Sequence, residues 1–316
     1  MKLGIVGLGW WGQKLVHSLY GKNQDIIFTH AVTKEPQDVE KYALEHQLTI
    51  FTDMSELLKL PEIDAIVLAT PHSLHVEQII ACAKAGKPVF CEKPLAMNVA
   101  DAKRAVDACE QAKVVLGLGT NKRFWPCMTE LKKTMDTGVI GKLLHVEGHY
   151  SNENTGRHFS AWRTHSHEAP AAGLTGAGLH VLDALISYAG PVKNVQAQVI
   201  STRPQPSPLD TVTAMFEFES GVSGTMATIR STPFYWRIHL FGEQGSVEAL
   251  SENELVIRQK GQAPVKTSYE SVDTLLLEIE EFVAAVQGKK KFHVSYNEMI
   301  ATVDAFERIV DSVGKR

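Results

Sequence analysis

Short apolar runs alternate with amphipathic stretches along the N-terminal part of the chain, and that alternation predicts a strand–helix repeat. Leu3-Gly4-Ile5-Val6 reads as a buried strand, and Ile26 to Val32 as a second. A helix is expected from about Gln37 to His46, and a shorter one, capped by Ser55, through Leu60. Asp64-Ala65-Ile66-Val67-Leu68 is continuously apolar after its first residue, as in a parallel strand covered on both faces. The next helix spans about Ser73 to Ala85 and stops at Gly86, a residue that commonly closes helices. Lys87-Pro88-Val89-Phe90 leads into Glu92, a helix from about Val99 to Gln111 follows, and Val114 to Leu118 forms a last strand. This alternation of strands and helices describes a doubly wound parallel sheet.

Farther along, the pattern changes. Val195 to Ile200, Thr211 to Phe218, Gly224 to Arg230, Trp236 to Phe241 and Ser246 to Leu250 read as strands separated by turn residues. Helices from about Asp273 to Gln287 and from Tyr296 to Val313 close the chain. At 316 residues, the length suggests about two domains.

Composition narrows the function classes. With 44% hydrophobic and 22% charged residues, the chain has the make-up of a globular protein. A formal net charge of -4 gives no electrostatic case for nucleic acid or a membrane surface. No run approaches the ~18 apolar residues of a spanning helix, and no cleavable leader is read at the start. Cys82, Cys91, Cys109 and Cys127 show no C-x-x-C spacing, so a reduced, cytoplasmic setting is expected, with no disulfide framework and no zinc site.

The chemistry begins at Gly7-Leu8-Gly9-Trp10-Trp11-Gly12, which lies between the first strand and a helix beginning near Gln13. That order of strand, glycine turn and helix is the dinucleotide fingerprint of a Rossmann domain. Gly7 permits the tight turn, Gly9 lets the backbone approach a pyrophosphate, and Gly12 lets helix and strand pack closely. The helix N-terminus offers N–H groups and a partial positive charge to the phosphates. At the end of the second strand, NAD-preferring sites usually place a carboxylate for the ribose 2′-OH. This chain has Thr33-Lys34, a hydroxyl and an ammonium suited to a 2′-phosphate. NADP is therefore favoured over NAD, although a shift in register would bring Glu35 to the ribose.

Lys93, in Cys91-Glu92-Lys93-Pro94-Leu95, sits at the C-terminal lip of a strand, where open α/β sheets bind ligands. Together with Ala69-Thr70-Pro71-His72-Ser73-Leu74-His75 and Ala85-Gly86-Lys87-Pro88-Val89, these motifs resemble the Gfo/Idh/MocA oxidoreductases. The resemblance continues through Gly117 to Phe124, Ala161-Trp162-Arg163, Gly178-Leu179-His180-Val181-Leu182-Asp183, and two hairpins at Phe216 to Gly221 and Leu240 to Ser246. It covers essentially the whole chain, with the motifs in family order.

The resemblance implies a Rossmann domain over residues 1–121 and an α/β domain over 122–316, whose open, mostly antiparallel sheet often mediates oligomers. It further implies NAD(P)-dependent hydride transfer at a hydroxyl or carbonyl of a sugar, polyol or related compound, by a homodimer or homotetramer. In that family the Glu-Lys-Pro lysine bonds the reacting oxygen and a histidine moves the proton, which places these roles on Lys93 and His180. Thr70, Pro71, His72, His75, Glu92, Lys93 and Asn121 join the glycine loop, Thr33 and Lys34 as expected cofactor contacts. Glu92 reads equally as support for the fold, and His75 as a residue facing the helix interior. Arg123, Trp162 and Arg163 are expected, with Lys93 and His180, to meet the substrate.

The pattern breaks at one position. Many relatives carry Asp four residues before the histidine, one helical turn away, and this chain has Gly176. Without that carboxylate, His180 should titrate nearer ~6.5. Three explanations stand: Asp183 or Glu168 supplies the carboxylate, the gap admits a bulkier substrate, or the site does not turn over. On the last, the chain would be a dinucleotide-binding regulator of the same fold. His165, His167 and Glu168 do not form an H-E-x-x-H motif, so no metal is expected there.

Overall fold

A computed structural model describes residues 1–152, 162, 165, 167–200 and 211–314. It divides into two compact units, Met1–Asn121 with Asp273–Tyr296, and Lys122–Val272 with Asn297–Arg316.

In the first unit, strands β1 (Lys2–Val6), β2 (Ile27–Val32), β3 (Thr49–Phe51), β4 (Ala65–Leu68), β5 (Val89–Glu92) and β6 (Leu116–Gly119) form a parallel sheet in the order β3-β2-β1-β4-β5-β6. Both β4 and β5 are buried along their whole length, which is why β4 is an unbroken apolar run and β5 is apolar up to its last residue, Glu92. The connecting helices are α1 (Trp10–Leu19), α2 (Glu40–Glu45), α3 (Met54–Leu58), α4 (His75–Lys84) and α5 (Val99–Ala112). Asp53, not Ser55, caps α3, its carboxylate accepting from the Ser55 amide at 2.8 Å. Asn98 caps α5 by accepting from the Asp101 amide. Gly86 closes the segment after α4 at φ +69°.

The second unit is built from β7 (Leu143–Ser151) and β8 (Val192–Ile200) through β9 (Thr211–Phe218), β10 (Ser223–Ile229), β11 (Tyr235–Gly242), β12 (Gly245–Leu250), β13 (Glu254–Gln259) and β14 (Val265–Ser268). Their order is β14-β13-β12-β11-β7-β10-β9-β8, antiparallel throughout except for the parallel β7–β10 pair. The described helices here are α6 (Pro126–Asp136), the four-residue α7 (Pro170–Gly173) and α8 (Gly178–Ala189); toward the end of the chain come α9 (Thr274–Val286), which belongs to the first unit, and α10 (Tyr296–Gly314). Helix α8 lies on β7, where Gly148 has no side chain to keep Val181 away. Trp125, Tyr150 and Trp236 meet edge to face, with Trp125 and Trp236 ring centroids 5.0 Å apart.

Helix α9 does not belong with the second unit, contrary to the expected 122–316 domain. Ile279, Phe282 and Val283 are buried in the core built by Leu3, Ile5, Leu15, Val67 and Phe90. The Phe282 ring lies 5.7 Å from Phe90, and it fills the space a side chain at Gly117 would need, 2.8 Å from where that Cβ would stand. Lys22 pairs with Asp273 at the N-cap of the helix, and Asn23 donates to Glu280 at its middle. No described helix is long and apolar enough to cross a membrane. All four cysteines are buried free thiols, and burial pushes those of Cys109 and Cys127 up to about 12.

Candidate active site

The loops expected to carry chemistry in the first unit all leave the C-terminal ends of strands, and neighbouring loops touch. Gly7 follows β1 at φ +96°, a conformation that disfavours any side chain, and its amide donates to Val32 O at the end of β2. A Cβ there would also stand 2.5 Å from Ala69 O, after β4. His75 bridges the β4 loop to the β5 loop, and Glu92 at the end of β5 lies against Gly119 of β6. The strand order reverses between β1 and β4, and that switch point is where open parallel sheets take ligands.

The fit of a dinucleotide is tested by the glycines of the loop. A Cβ at Gly12 would collide with Gly7 O, so Gly12 is a packing glycine. A Cβ at Gly9 would meet nothing within 4 Å, so this glycine leaves its space open, and no protein atom explains it. Helix α1 begins here with no side-chain cap and no acidic residue in its first turn. Its N–H groups and dipole therefore face a negative ligand without competition from a carboxylate. Lys14 adds a cation on the same helix, 4.3 Å from the Trp10 ring, and Trp10 and Trp11 lie 5.5 Å apart. Lys14 lies two residues beyond the last glycine and is not one of the fingerprint positions. The donors and the open space fit a pyrophosphate.

After β2, the Thr33 amide donates to Phe51 O and the Thr33 hydroxyl accepts from the Glu35 amide at 3.4 Å, while Lys34 and Glu35 are exposed. Past β4, the Thr70 hydroxyl donates to Gln78 at 2.6 Å, and both His72 and His75 are buried. Pro71 is half-buried. Glu92 is buried, its carboxylate 3.3 Å from the Lys93 amide, and the Lys93–Pro94 peptide is cis. Lys93 itself is half-buried. Asn121 is also buried, donating to the Thr274 hydroxyl at the start of α9.

In the second unit, His180 lies half-buried on the third residue of α8, its ring 6.2 Å from that of Tyr150 on β7. Burial raises the Tyr150 phenol above its usual range, and its oxygen accepts from Asn152 at 3.0 Å. Lys122 sits over the Trp125 ring at 3.7 Å and is 5.7 Å from that of Tyr150. Tyr150, Asn152 and Lys122 are residues the motif reading did not single out.

Two expectations change. Asp183 faces Arg123, which donates from Nε at 2.8 Å and from Nη2 at 2.7 Å, a bidentate pair that Glu298 extends at 2.9 Å. The carboxylate of Asp183 is thus committed to a buried ion pair, and Arg123, with it, is occupied within the fold. Burial works against the Arg123 charge, and the two carboxylates more than offset it. The position of Gly176 is not an empty gap either: the buried Arg230 guanidinium lies 2.9–3.0 Å from where a Cβ would stand. Glu168 is buried beside His167, 3.8 Å from its Nε2. Trp162 is half-buried, and Arg163 lies outside the described residues. Among the described residues, no three His, Cys, Asp or Glu side chains gather as metal ligands.

Comparison with known proteins gives this geometry its class. The Gfo/Idh/MocA oxidoreductase family, NAD-binding Rossmann fold, matches residues 1–120, and the GFO/IDH/MocA C-terminal domain matches residues 128–248. The chain belongs to the Gfo/Idh/MocA family. It is 36% identical over 147 residues to myo-inositol 2-dehydrogenase of Thermotoga maritima, covering 45% of this chain and 42% of that one. It is 33% identical over 141 residues to 2,7-anhydro-N-acetylneuraminate hydratase of Mediterraneibacter gnavus, covering 45% and 37%. The chain thus spans less than half the length of these curated relatives. Among solved structures, levoglucosan dehydrogenase with NADH and L-sorbose superposes with a TM-score of 0.88 at 21% identity, over 100% of this chain and 97% of that one. The WlbA dehydrogenase of Bordetella pertussis with NADH and UDP-GlcNAcA gives 0.87, also at 21%, over 100% and 96%. At these identities the likeness establishes the fold.

Proposed function

We propose that the chain is an NAD(P)-dependent dehydrogenase or reductase acting on a hydroxyl or carbonyl of a sugar, polyol or related compound. The observation that carries this reading is the space left open at Gly9, at the uncapped start of α1, on the same sheet edge as Lys93. A nicotinamide dinucleotide, when bound, supplies the hydride donor or acceptor. The α1 amides, Lys14, Thr70 and the loop around Glu92 would hold it, and Thr33 with Lys34 would receive the ribose side. Exposed Lys34 supports a preference for NADP, since it can meet a 2′-phosphate that a carboxylate would repel.

On this reading Lys93 hydrogen-bonds the reacting oxygen. Beside the cationic ring of an oxidised cofactor, Lys93 would release its proton more readily and so assist removal of the proton from an alcohol; in the reductive direction Lys93 would donate a proton toward the carbonyl oxygen. His180 transfers the proton, and Tyr150 and Asn152 shape its surroundings. Trp162 and Arg163 remain proposed substrate contacts. The same reading carries a homodimeric or homotetrameric state, and the buried thiols fit a reducing cytoplasm.

The test is a panel of sugars, inositols and sugar acids with NAD and NADP, followed by the absorbance of the reduced nicotinamide. Turnover with at least one member supports the enzyme. Cofactor binding with no turnover across the panel supports a regulator of the same fold and overturns the enzymatic reading.

A further inference from the structure

His75 is fully buried at the first residue of α4. Its Nδ1 lies 2.7 Å from Pro94 O and its Nε2 lies 3.0 Å from Thr70 O. Both oxygens are backbone carbonyls, which only accept, so each contact needs a hydrogen on the ring nitrogen that faces it. A neutral imidazole has one such hydrogen, and the shorter distance assigns it to Nδ1. The imidazolium supplies both. Each ring nitrogen thus lies within hydrogen-bond distance of a backbone carbonyl.

The two carbonyls belong to adjacent loops. Thr70 follows β4, and Pro94 directly follows Lys93 after β5. On the other side, Glu92 is wedged against Gly119 of β6, with its carboxylate 2.8 Å from where a Cβ would stand. The backbone bearing Lys93 is therefore held toward the β4 side by the imidazole contacts, and on the β6 side the Glu92 carboxylate packs into the space that Gly119 leaves.

We propose that His75 is a positioning residue for Lys93, with the Nδ1–H bond to Pro94 O setting where the amine is presented. The proposal rests on the role given to Lys93 above. A misplacement of ~1 Å can cost about 100-fold in rate, which sets the scale of the effect.

Imidazole nitrogen NMR of the full chain, without substrate, reads the ring directly. The expected result is a protonated Nδ1 in slow exchange with water, and an unprotonated Nδ1 would overturn the proposal. Kinetics give the second reading. In His75→Ala, kcat should fall roughly 10- to 100-fold, with substrate KM and cofactor affinity changed less than about threefold. His75→Asn, which keeps an N–H donor near the place of Nδ1, should recover most of the loss. Melting curves show whether each variant is folded. A kcat within about threefold of wild type in folded His75→Ala, or an Asn variant no better than the Ala variant, would refute the assignment. Lys93→Met separates the two ideas. If it turns over normally, the role of Lys93 fails, while the NMR result still decides the His75–Pro94 bond.

Discussion

The guanidinium of Arg230 lies against Gly176, four residues ahead of His180 in the turn that precedes α8, with Nη2 2.9 Å from where a β-carbon would stand. A buried cation thus occupies the neighbourhood in which a carboxylate was expected. Gly176→Ala should lower stability by roughly 1–3 kcal/mol, because the side chain displaced is a buried one and overpacking carries such a cost. Denaturant unfolding measures this. Gly176→Asp should direct its carboxylate to Arg230, so the pH profile of turnover should not shift toward a more basic His180.

The buried pair of Arg123 and Asp183 makes a prediction that separates structure from catalysis. Asp183→Asn removes one charge from a bidentate contact and leaves a buried guanidinium with Glu298 as its carboxylate partner. The loss expected is about 3–5 kcal/mol in unfolding free energy. Activity per folded molecule, and its pH dependence, should stay near wild type, because both oxygens of the carboxylate already accept from Arg123.

Two glycines of the same loop should behave differently. Gly9→Val should keep most of its stability, since its Cβ enters open space, yet bind NAD(P)H at least about tenfold more weakly, roughly 1.4 kcal/mol. Gly12→Val should instead be destabilised, because its side chain would strike the Gly7 carbonyl. Cofactor titration and thermal melting of both variants check the contrast. Equal melting temperatures would contradict it.

On the face of the second sheet, His239 is nearly buried beside Glu248, Arg237 and Arg258, with Glu147 also bonded to Arg237. Burial lowers its titration to about 4, Glu248 opposes the shift, and the arginines add to it. An unfolded histidine titrates near ~6.5, so between those values the unfolded chain binds more protons. This residue therefore makes stability fall as pH drops from about 6.5 to about 4. His239→Gln should flatten that part of a melting-temperature profile.

Much of the first unit was legible because a parallel strand covered on both faces is written as an unbroken apolar run, as in Ala65 to Leu68. Strand β7 was not found, since His145, Glu147 and His149 alternate with inward positions that include the side-chain-free Gly148. At one end of the same sheet, the four-residue edge strand β14 is exposed along its length and offers no apolar alternation to read. The amphipathic pattern of α9 showed that one face is buried. Only the structure shows that the face meets Phe90 and Gly117, residues far away in sequence. The glycine loop and the Glu92-Lys93-Pro94 turn were visible because their chemistry is local. The pairings of Arg230 with Gly176 and of Arg123 with Asp183 join distant segments, and no spacing rule encodes them.

The central claim is that Lys93 handles the proton of an alcohol or carbonyl while a nicotinamide exchanges hydride. The most direct measurement is the single-turnover rate of Lys93→Met, with NAD(P)H affinity determined on the same preparation. The account predicts a fall of roughly 10²-fold or more with cofactor affinity nearly unchanged. A variant that binds cofactor and reacts at the wild-type rate would contradict it.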